Sequence, residues 1–355
     1  MKKIAIVIAE LAAPGGAEKV AVDLAEEFRQ RDYEVTVVKF ARLPVDITRY
    51  DIPVRMINLD IPERQGGLFT QITVLLRRAW QFRQLFQREQ FDHIFSFLEA
   101  ANVPCALACP DSVLSVHLDP STMTRSEWLA FRWLYPRAKR VIAVSRQMQD
   151  LLEKQAHLKN VNCIYNPVNT RLIAEKSQEV IGFEGRFILG VGRLEKQKRF
   201  DLLIEAFARS KAQQDCQLLI VGRGTQQAML EQHIKTLGME ERVVLVGFDA
   251  NPYKYMAKAE FQVMSSDYEG YPLVLIEALS LGCPIVSTDC PTGPREIIRH
   301  GENGLLVEKG NVDALAAGID TLFFDQEQCE RLRQQAKESV RNNDIAAVAD
   351  AWLAA

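Results

Sequence analysis

The chain has 355 residues, 48% of them hydrophobic and 25% charged, with a formal net charge of -3. That length accommodates two domains of ordinary size, the composition is that of a folded chain rather than a disordered one, and the charge balance argues against nucleic acid as a partner. Seven cysteines without paired spacing point to reduced thiols in a cytoplasmic protein, and no run approaches the ~20 apolar residues of a spanning helix.

The first ten residues have the basic start and apolar stretch of a signal peptide, but the stretch is short and Glu10 follows it. Residues 4–8 are therefore expected to form a buried strand. Gly15 and Gly16 then open a helix through Arg29, with Val20, Leu24 and Phe28 on one face. Strands are expected over 35–40, 54–59, 93–97, 113–116 and 140–144, with helices near 67–89, 101–108, 126–135 and 146–155. Asn166-Pro167-Val168-Asn169 forms an interdomain turn, followed by an irregular polar stretch to Gly185. The alternation then restarts, with strands over 187–191, 217–221, 243–246, 261–264 and 285–287 and a helix over 200–209. Such alternation implies parallel sheets covered on both faces. The expected division is 1–168, 169–335 and a C-terminal helical segment, 336–355.

The densest chemistry lies between Ser265 and Leu279. A strand delivers Ser265, Ser266 and an acidic turn, Gly270 breaks it, and Pro272 suits a first helical position because it needs no N–H partner. A helical pattern then runs to Gly282, a glycine stop followed by Pro284. A helix N-terminus leaving a strand's carboxyl end offers backbone N–H groups to a phosphate. Glu269 and Glu277 would repel a bare phosphate, yet carboxylates accept well from sugar and ribose hydroxyls, so this segment fits a nucleotide sugar.

Glu269 and Glu277, with seven residues between them, resemble the E-x7-E element of retaining GT-B glycosyltransferases of the large family four. The resemblance continues through Gly282-Cys283-Pro284 to Pro294-Arg295-Glu296 and Asn303-Gly304-Leu305, and takes in Gly15-Gly16-Ala17-Glu18 and Gly190-Val191-Gly192-Arg193-Leu194 with Lys198. It implies an α/β fold of two Rossmann-like, doubly wound parallel-sheet domains facing a central cleft. The donor would bind mainly to the second domain and the acceptor to the first, with the last helix, over 345–353, crossing back to the first domain. It also implies reaction with retention on one face of the sugar, the departing phosphate taking the acceptor's proton.

Sugar transfer from a nucleoside diphosphate requires the leaving charge to be neutralised. No Asp-x-Asp pair occurs in the chain, so no metal is expected, and Arg193 and Lys198 are the resemblance's diphosphate ligands, one a bidentate fork and the other a mobile point charge. By the same resemblance Glu277 takes the ribose and Glu269 the transferred sugar, with backbone amides of Gly270, Tyr271, Leu273 and Val274 on donor sugar and phosphate. His117, at a strand's carboxyl end where ligands sit in open α/β sheets, would approach the anomeric region. Gly15 and Gly16 form a close-approach loop near phosphate and acceptor, and Arg223, Phe248 and Asn251 are candidate walls for the base. The resulting expectation is a retaining, metal-independent glycosyltransferase without a cofactor. It would move a hexose or N-acetylhexosamine, with a UDP-sugar as the favoured donor, to a saccharide or lipid-linked saccharide acceptor in bacterial surface-glycan assembly such as lipopolysaccharide.

Two Arg-rich aromatic clusters, residues 72–88 and 128–140, allow two readings: helices resting peripherally on the anionic inner-membrane surface, or core helices with solvated arginines. Three rival functions share parts of this pattern. A nicotinamide enzyme fails because neither Gly190-x-Gly192 nor Gly222-x-Gly224 completes the dinucleotide fingerprint. A sugar-nucleotide epimerase with the same donor pocket and a non-catalytic nucleotide-sugar-binding partner of an assembly complex both stay open.

Overall fold

The computed structural model describes residues 1–11, 15–40, 52–61, 67–117 and 123–355. In chain order the first part contains β1 (Lys3–Val7), α1 (Gly16–Gln30), β2 (Glu34–Lys39), β3 (Arg55–Asn58), α2 (Leu68–Glu89), β4 (His93–Phe97), α3 (Glu99–Ala108), β5 (Val113–Val116), α4 (Arg125–Leu134), β6 (Arg140–Ala143), α5 (Arg146–Gln155) and β7 (Val161–Cys163). Its strands are parallel in the order β3-β2-β1-β4-β5-β6-β7. The order reverses direction between β1 and β4. Strands such as Ile4-Ala5-Ile6-Val7 are buried end to end, as a parallel sheet covered on both faces requires.

The second part contains α6 (Thr170–Lys176), β8 (Phe187–Val191), α7 (Phe200–Arg209), β9 (Gln217–Val221), α8 (Gln227–Thr236), β10 (Val243–Gly247), α9 (Tyr253–Met256), β11 (Gln262–Met264), α10 (Leu273–Ser280), β12 (Ile285–Thr288), α11 (Pro294–Ile297), β13 (Leu305–Val307), α12 (Val312–Phe324) and α13 (Gln326–Ser339), and α14 (Ile345–Ala354) closes the chain. The second sheet is also parallel, in the order β10-β9-β8-β11-β12-β13, with its reversal between β8 and β11. Its core unites Phe200, Leu203 and Phe207 of α7 with Ile188, Ile220, Val286, Leu315 and Ile319.

Two compact units result, Met1–Pro167 with Ile345–Ala355, and Val168–Asp344. Val168 falls in the second unit because its N–H donates to the Asn343 carbonyl at 2.6 Å. The expected break at 335/336 is corrected to Asp344/Ile345. Residue 335 lies inside α13, whose Cys329, Leu332 and Ala336 form one buried stripe, and α13 packs on α10. In the first unit Trp352 of α14 meets Phe95 and Phe97 at ring-centroid distances of 5.2 and 5.1 Å, and Arg31 of α1 donates to the Ala346 carbonyl at 2.8 Å.

The polar stretch after Asn169 is not wholly irregular. Asn169 Oδ1 accepts from the Leu172 N–H at 3.0 Å and caps α6. The seven residues of α6 are too few to show a full apolar face. Pro272 is likewise the N-cap of α10 rather than its first helical residue, with ψ 108° and a carbonyl that accepts from Leu275 N–H at 3.1 Å. The far end of α10 closes as read from the sequence. Gly282 has φ +78°, its N–H donates to the Leu279 carbonyl, and Cys283 N–H reaches back to Ala278, both at 2.9 Å.

Candidate functional site

The carboxyl ends of β8 and β11 flank the reversal point of the second sheet, where an open α/β sheet leaves a crevice. Two loops meet there. One follows β8 and carries Arg193 and Lys198, and the other follows β11 and carries Glu269. Ser265 brings its hydroxyl within 2.8 and 2.9 Å of the Lys198 and Arg199 carbonyls. Asp267 N–H donates to the Gln197 carbonyl at 2.9 Å, and Gln197 Nε2 donates to the Tyr268 carbonyl at 2.6 Å. Arg199, at φ +50°, turns the chain from a 3₁₀ turn at Lys196–Lys198 into α7 and bonds Asp201 and Asp267 at 3.1 and 3.2 Å. Left-handed geometry is unfavourable for a side chain larger than glycine, and these two carboxylates help hold it.

The scaffold brings Lys198 Nζ to 2.6 Å from Glu269 Oε1, with side chains only 16% and 8% exposed. Ser266 Oγ donates to the same carboxylate oxygen at 2.6 Å. Glu269 is held from behind as well, its N–H on the Pro291 carbonyl at 3.3 Å and its carbonyl accepting from the Thr292 hydroxyl. Cys290 is buried nearby, and its thiol is pushed up by burial and then by the Glu269 carboxylate. A hydrogen-bonded carboxylate with a mobile ammonium against it can exchange that ammonium for a ligand anion while offering acceptors to hydroxyls.

Glycines allow the close approach of these loops. A Cβ on Gly222 would fall 1.8 Å from the Gly192 carbonyl oxygen, and one on Gly224 would fall 2.4 Å from that of Leu194. Here Gly192 N–H donates to the Val221 carbonyl at 3.1 Å and Leu194 N–H to that of Arg223 at 2.9 Å. Arg193 is exposed on this edge and lies close enough to Glu195 to help lower that carboxyl's pKa, after the two hydrogen bonds from Thr225. Gly293, at φ +87°, would place a Cβ 2.6 Å from Pro272 Cδ and 3.1 Å from the Gly270 carbonyl oxygen. The loop before α11 thus lies directly on Gly270, Tyr271 and Pro272. Tyr271 is buried, its hydroxyl accepting from Asn343 Nδ2 at 3.0 Å. Leu273 and Val274 begin α10, so their N–H groups precede its i→i−4 ladder.

Glu277 is 5% exposed, so it is not a solvated helical acid. Tyr253 donates its hydroxyl to Glu277 at 3.3 Å. The segment before α9 brings Phe248 under Arg223, the guanidinium 5.0 Å from the ring centroid. Asn251 is buried and donates to the Lys176 carbonyl at 2.8 Å, while its Oδ1 has no hydrogen-bond partner among the described residues. Its N–H donates to Asp249 Oδ1 at 2.8 Å. Asp249 has a lowered pKa, burial opposing the Asn251 N–H and Lys254 that hold it charged.

Three expected residues belong to the first unit. Gly15 is the N-cap of α1 and Gly16 its first residue. A Cβ on Gly15 would meet the Glu18 carboxylate at 1.9 Å. His117 directly follows β5, half-buried, with Nε2 2.9 Å from Ser115 Oγ and its ring 5.8 Å from that of Phe97. Burial pushes its imidazole down to about 3, so the ring is neutral at pH 7. Ser266, Tyr253, Thr292 and Gly293 join the site in addition to the residues expected from the sequence. Ser266 stands only three positions before Glu269, so a turn between them brings its hydroxyl within reach of the carboxylate, and that nearness in the sequence could have found it. The other three act across the fold.

Residues 174–339 match the family described as Glycosyl transferases group 1, and residues 14–172 match Glycosyltransferase Family 4. Over an alignment of 364 residues the chain is 32% identical to the N-acetylgalactosamine-N,N'-diacetylbacillosaminyl-diphospho-undecaprenol 4-alpha-N-acetylgalactosaminyltransferase of Campylobacter jejuni, covering 98% of each chain. It is 31% identical over 189 residues to the lipopolysaccharide 1,6-galactosyltransferase of Salmonella typhimurium, covering 51% of this chain and 52% of that one. Among solved structures, Anabaena HepE in complex with UDP is similar with a TM-score of 0.80 at 25% identity, over 100% of this chain and 99% of that one.

Proposed function

The chain belongs to this family of GT-B glycosyltransferases, and from that premise we propose that it transfers a hexose or N-acetylhexosamine, with retention and without a metal, from a UDP-sugar to a lipid-linked saccharide in bacterial surface-glycan assembly. The observation that carries this reading is the Lys198–Glu269 pair at the reversal point of the second sheet. It sets a cation for a diphosphate beside an acceptor for sugar hydroxyls. UDP in HepE and the undecaprenol-linked substrate named for the Campylobacter jejuni relative support the choice of donor and acceptor.

In this mechanism Arg193 and Lys198 bind the diphosphate, helped by the first amides of α10. Glu269, freed from Lys198, accepts from the transferred sugar, and Glu277 accepts from the ribose. Arg223, Phe248 and Asn251 surround the base. The bond between the anomeric carbon and the phosphate oxygen breaks as that carbon bonds to the acceptor oxygen on the same face. The acceptor's proton passes to the departing phosphate. His117, neutral, steadies the sugar as positive charge develops at the anomeric carbon, and the Gly15–Gly16 turn admits phosphate and acceptor. The reaction would take place on the cytoplasmic face of the inner membrane. No helix among the described residues is long and apolar enough to cross a membrane, which suits peripheral contact.

The test is a panel of UDP-, GDP-, ADP- and dTDP-sugars in EDTA, followed by binding heat and nucleotide release. A UDP-sugar bound and slowly hydrolysed is the expected result. Binding of none would remove the enzymatic reading, and an epimerised donor would establish the epimerase instead.

A further inference from the structure

Ile72, Leu76 and Trp80 stand at four-residue steps along α2 and are 46%, 57% and 61% exposed, while Phe82, Leu85 and Phe86 of the same helix are buried. Leu129 and Trp133 repeat the step on α4, at 57% and 71% exposed. Residues four apart share a helix face, so folding leaves an apolar strip uncovered on each helix. Right-handed crossovers from β3 to β4, β4 to β5 and β5 to β6 all run in one direction along the sheet, which puts α2, α3 and α4 on one face of it. Both α2 and α4 pack against α3.

The surrounding charge favours one kind of partner. Arg77, Arg83 and Arg88 of α2 are exposed. The single acid of α2, Glu89, is already held by Arg55 at 2.8 Å and by Arg88 at 3.0 Å. Arg125 lies one four-residue step before Leu129 on α4, Arg132 lies beside Trp133, and Arg137 ends the 3₁₀ turn that follows α4, and all three are exposed. Tryptophans and aliphatics bordered by guanidinium groups match the boundary between anionic headgroups and acyl chains. There an indole sits at headgroup depth and an arginine pairs with phosphate.

We infer that this face of the first unit, Ile72, Leu76 and Trp80 of α2 with Leu129 and Trp133 of α4, docks on a bilayer surface rich in anionic headgroups. It rests on the proposed function only for its purpose, holding the enzyme where a lipid-linked acceptor lies, and it deepens the peripheral contact proposed there into named residues.

The test is co-sedimentation of the full chain with phosphatidylcholine vesicles, with and without phosphatidylglycerol, alongside the emission wavelength of the tryptophans. The wild type should sediment only with the anionic vesicles, with a blue shift, and should be released by salt. The paired substitution Trp80→Ser/Trp133→Ser should lower partitioning about tenfold or more. Arg77→Gln/Arg83→Gln should lower it by a similar factor, about tenfold. The thermal unfolding midpoint of each variant, unchanged from wild type, separates lost docking from lost fold. Absence of binding to anionic vesicles, or equal binding by wild type and both variants, overturns the inference. So does a wild-type dimer that the tryptophan substitutions turn into monomers without any vesicle binding, because a second copy then covers the face. Vesicle binding by a protein that turns over no nucleotide sugar upholds this inference and removes the enzymatic reading instead.

Discussion

Replacing Lys198 with alanine separates anchoring from catalysis at the centre of the site. In the wild type the Lys198–Glu269 contact is 2.6 Å, between side chains that are 16% and 8% exposed, so water screens little of it. Alanine leaves the Glu269 carboxylate with the Ser266 hydroxyl and, among the described residues, no cation in salt-bridge contact. A charge-assisted hydrogen bond contributes about 1.5–3 kcal/mol, and stranding the partner of a fully buried pair costs about 3–5 kcal/mol. Partial solvent access at the lysine puts the expected loss near 2–3 kcal/mol, or about 4–12 °C in the melting midpoint of a unit this size. The effect on turnover should be larger. Removing one preorganised charge from the group that stabilises the leaving diphosphate lowers kcat by about 10² to 10³. The assay is release of UDP from a saturating UDP-sugar, with differential scanning fluorimetry of the same samples and Lys198→Met as a control that keeps the apolar stem. A lower midpoint with kcat within about threefold of wild type would refute the catalytic role and leave Lys198 as a structural anchor for Glu269.

Gly293→Ala should lower the melting midpoint by an amount equivalent to about 1–3 kcal/mol, because φ is +87° and the new Cβ meets Pro272 Cδ at 2.6 Å. Donor affinity should fall with it, as calorimetry would read, and an unchanged Kd would separate this loop from the donor. Tyr253→Phe removes the hydroxyl that donates to Glu277 at 3.3 Å. It should cost about 1 kcal/mol of stability and weaken UDP binding more than turnover at saturation, whereas unaltered UDP affinity would dissociate Glu277 from the nucleotide. His117, held at about 3 against an ordinary 6.5, binds its proton more readily in the unfolded chain. Its contribution is therefore fully present above pH 6.5 and is lost as pH falls from 6.5 toward 3. A pH series of melting midpoints should decline less steeply over that window in His117→Gln, and parallel curves would show that the ring titrates normally. His117→Ala should lower kcat while donor affinity is largely kept, and an unchanged kcat would remove His117 from the reaction.

Local features of the structure were legible in the sequence because chain stiffness and turn chemistry are local. Apolar runs that end at a charged residue or a glycine mark β1, β8 and β9, and the stop at Gly282 follows from the φ that only glycine adopts freely. The spacing of Glu269 and Glu277 puts both on one loop-and-helix element, and in a sequence without an Asp-x-Asp pair Arg193 and Lys198 are the cations expected for a diphosphate. The three-residue strands β7 and β13 and the short α6 are too brief to show a period.

What meets what was decided only in three dimensions. Lys198 and Glu269 are 71 positions apart and touch because β8 and β11 lie side by side in the second sheet. The Tyr253 hydroxyl on Glu277, the Thr292 hydroxyl on the Glu269 carbonyl, and Gly293 against Pro272 depend on the same strand order. The return of α14 depends on the first sheet instead, where Trp352 completes an aromatic cluster begun by Phe95 and Phe97 on β4. Each residue's conformational preference is carried by its near neighbours in the chain. A pairing across a parallel sheet instead depends on which strands become adjacent, and that is set by burying every apolar face at once.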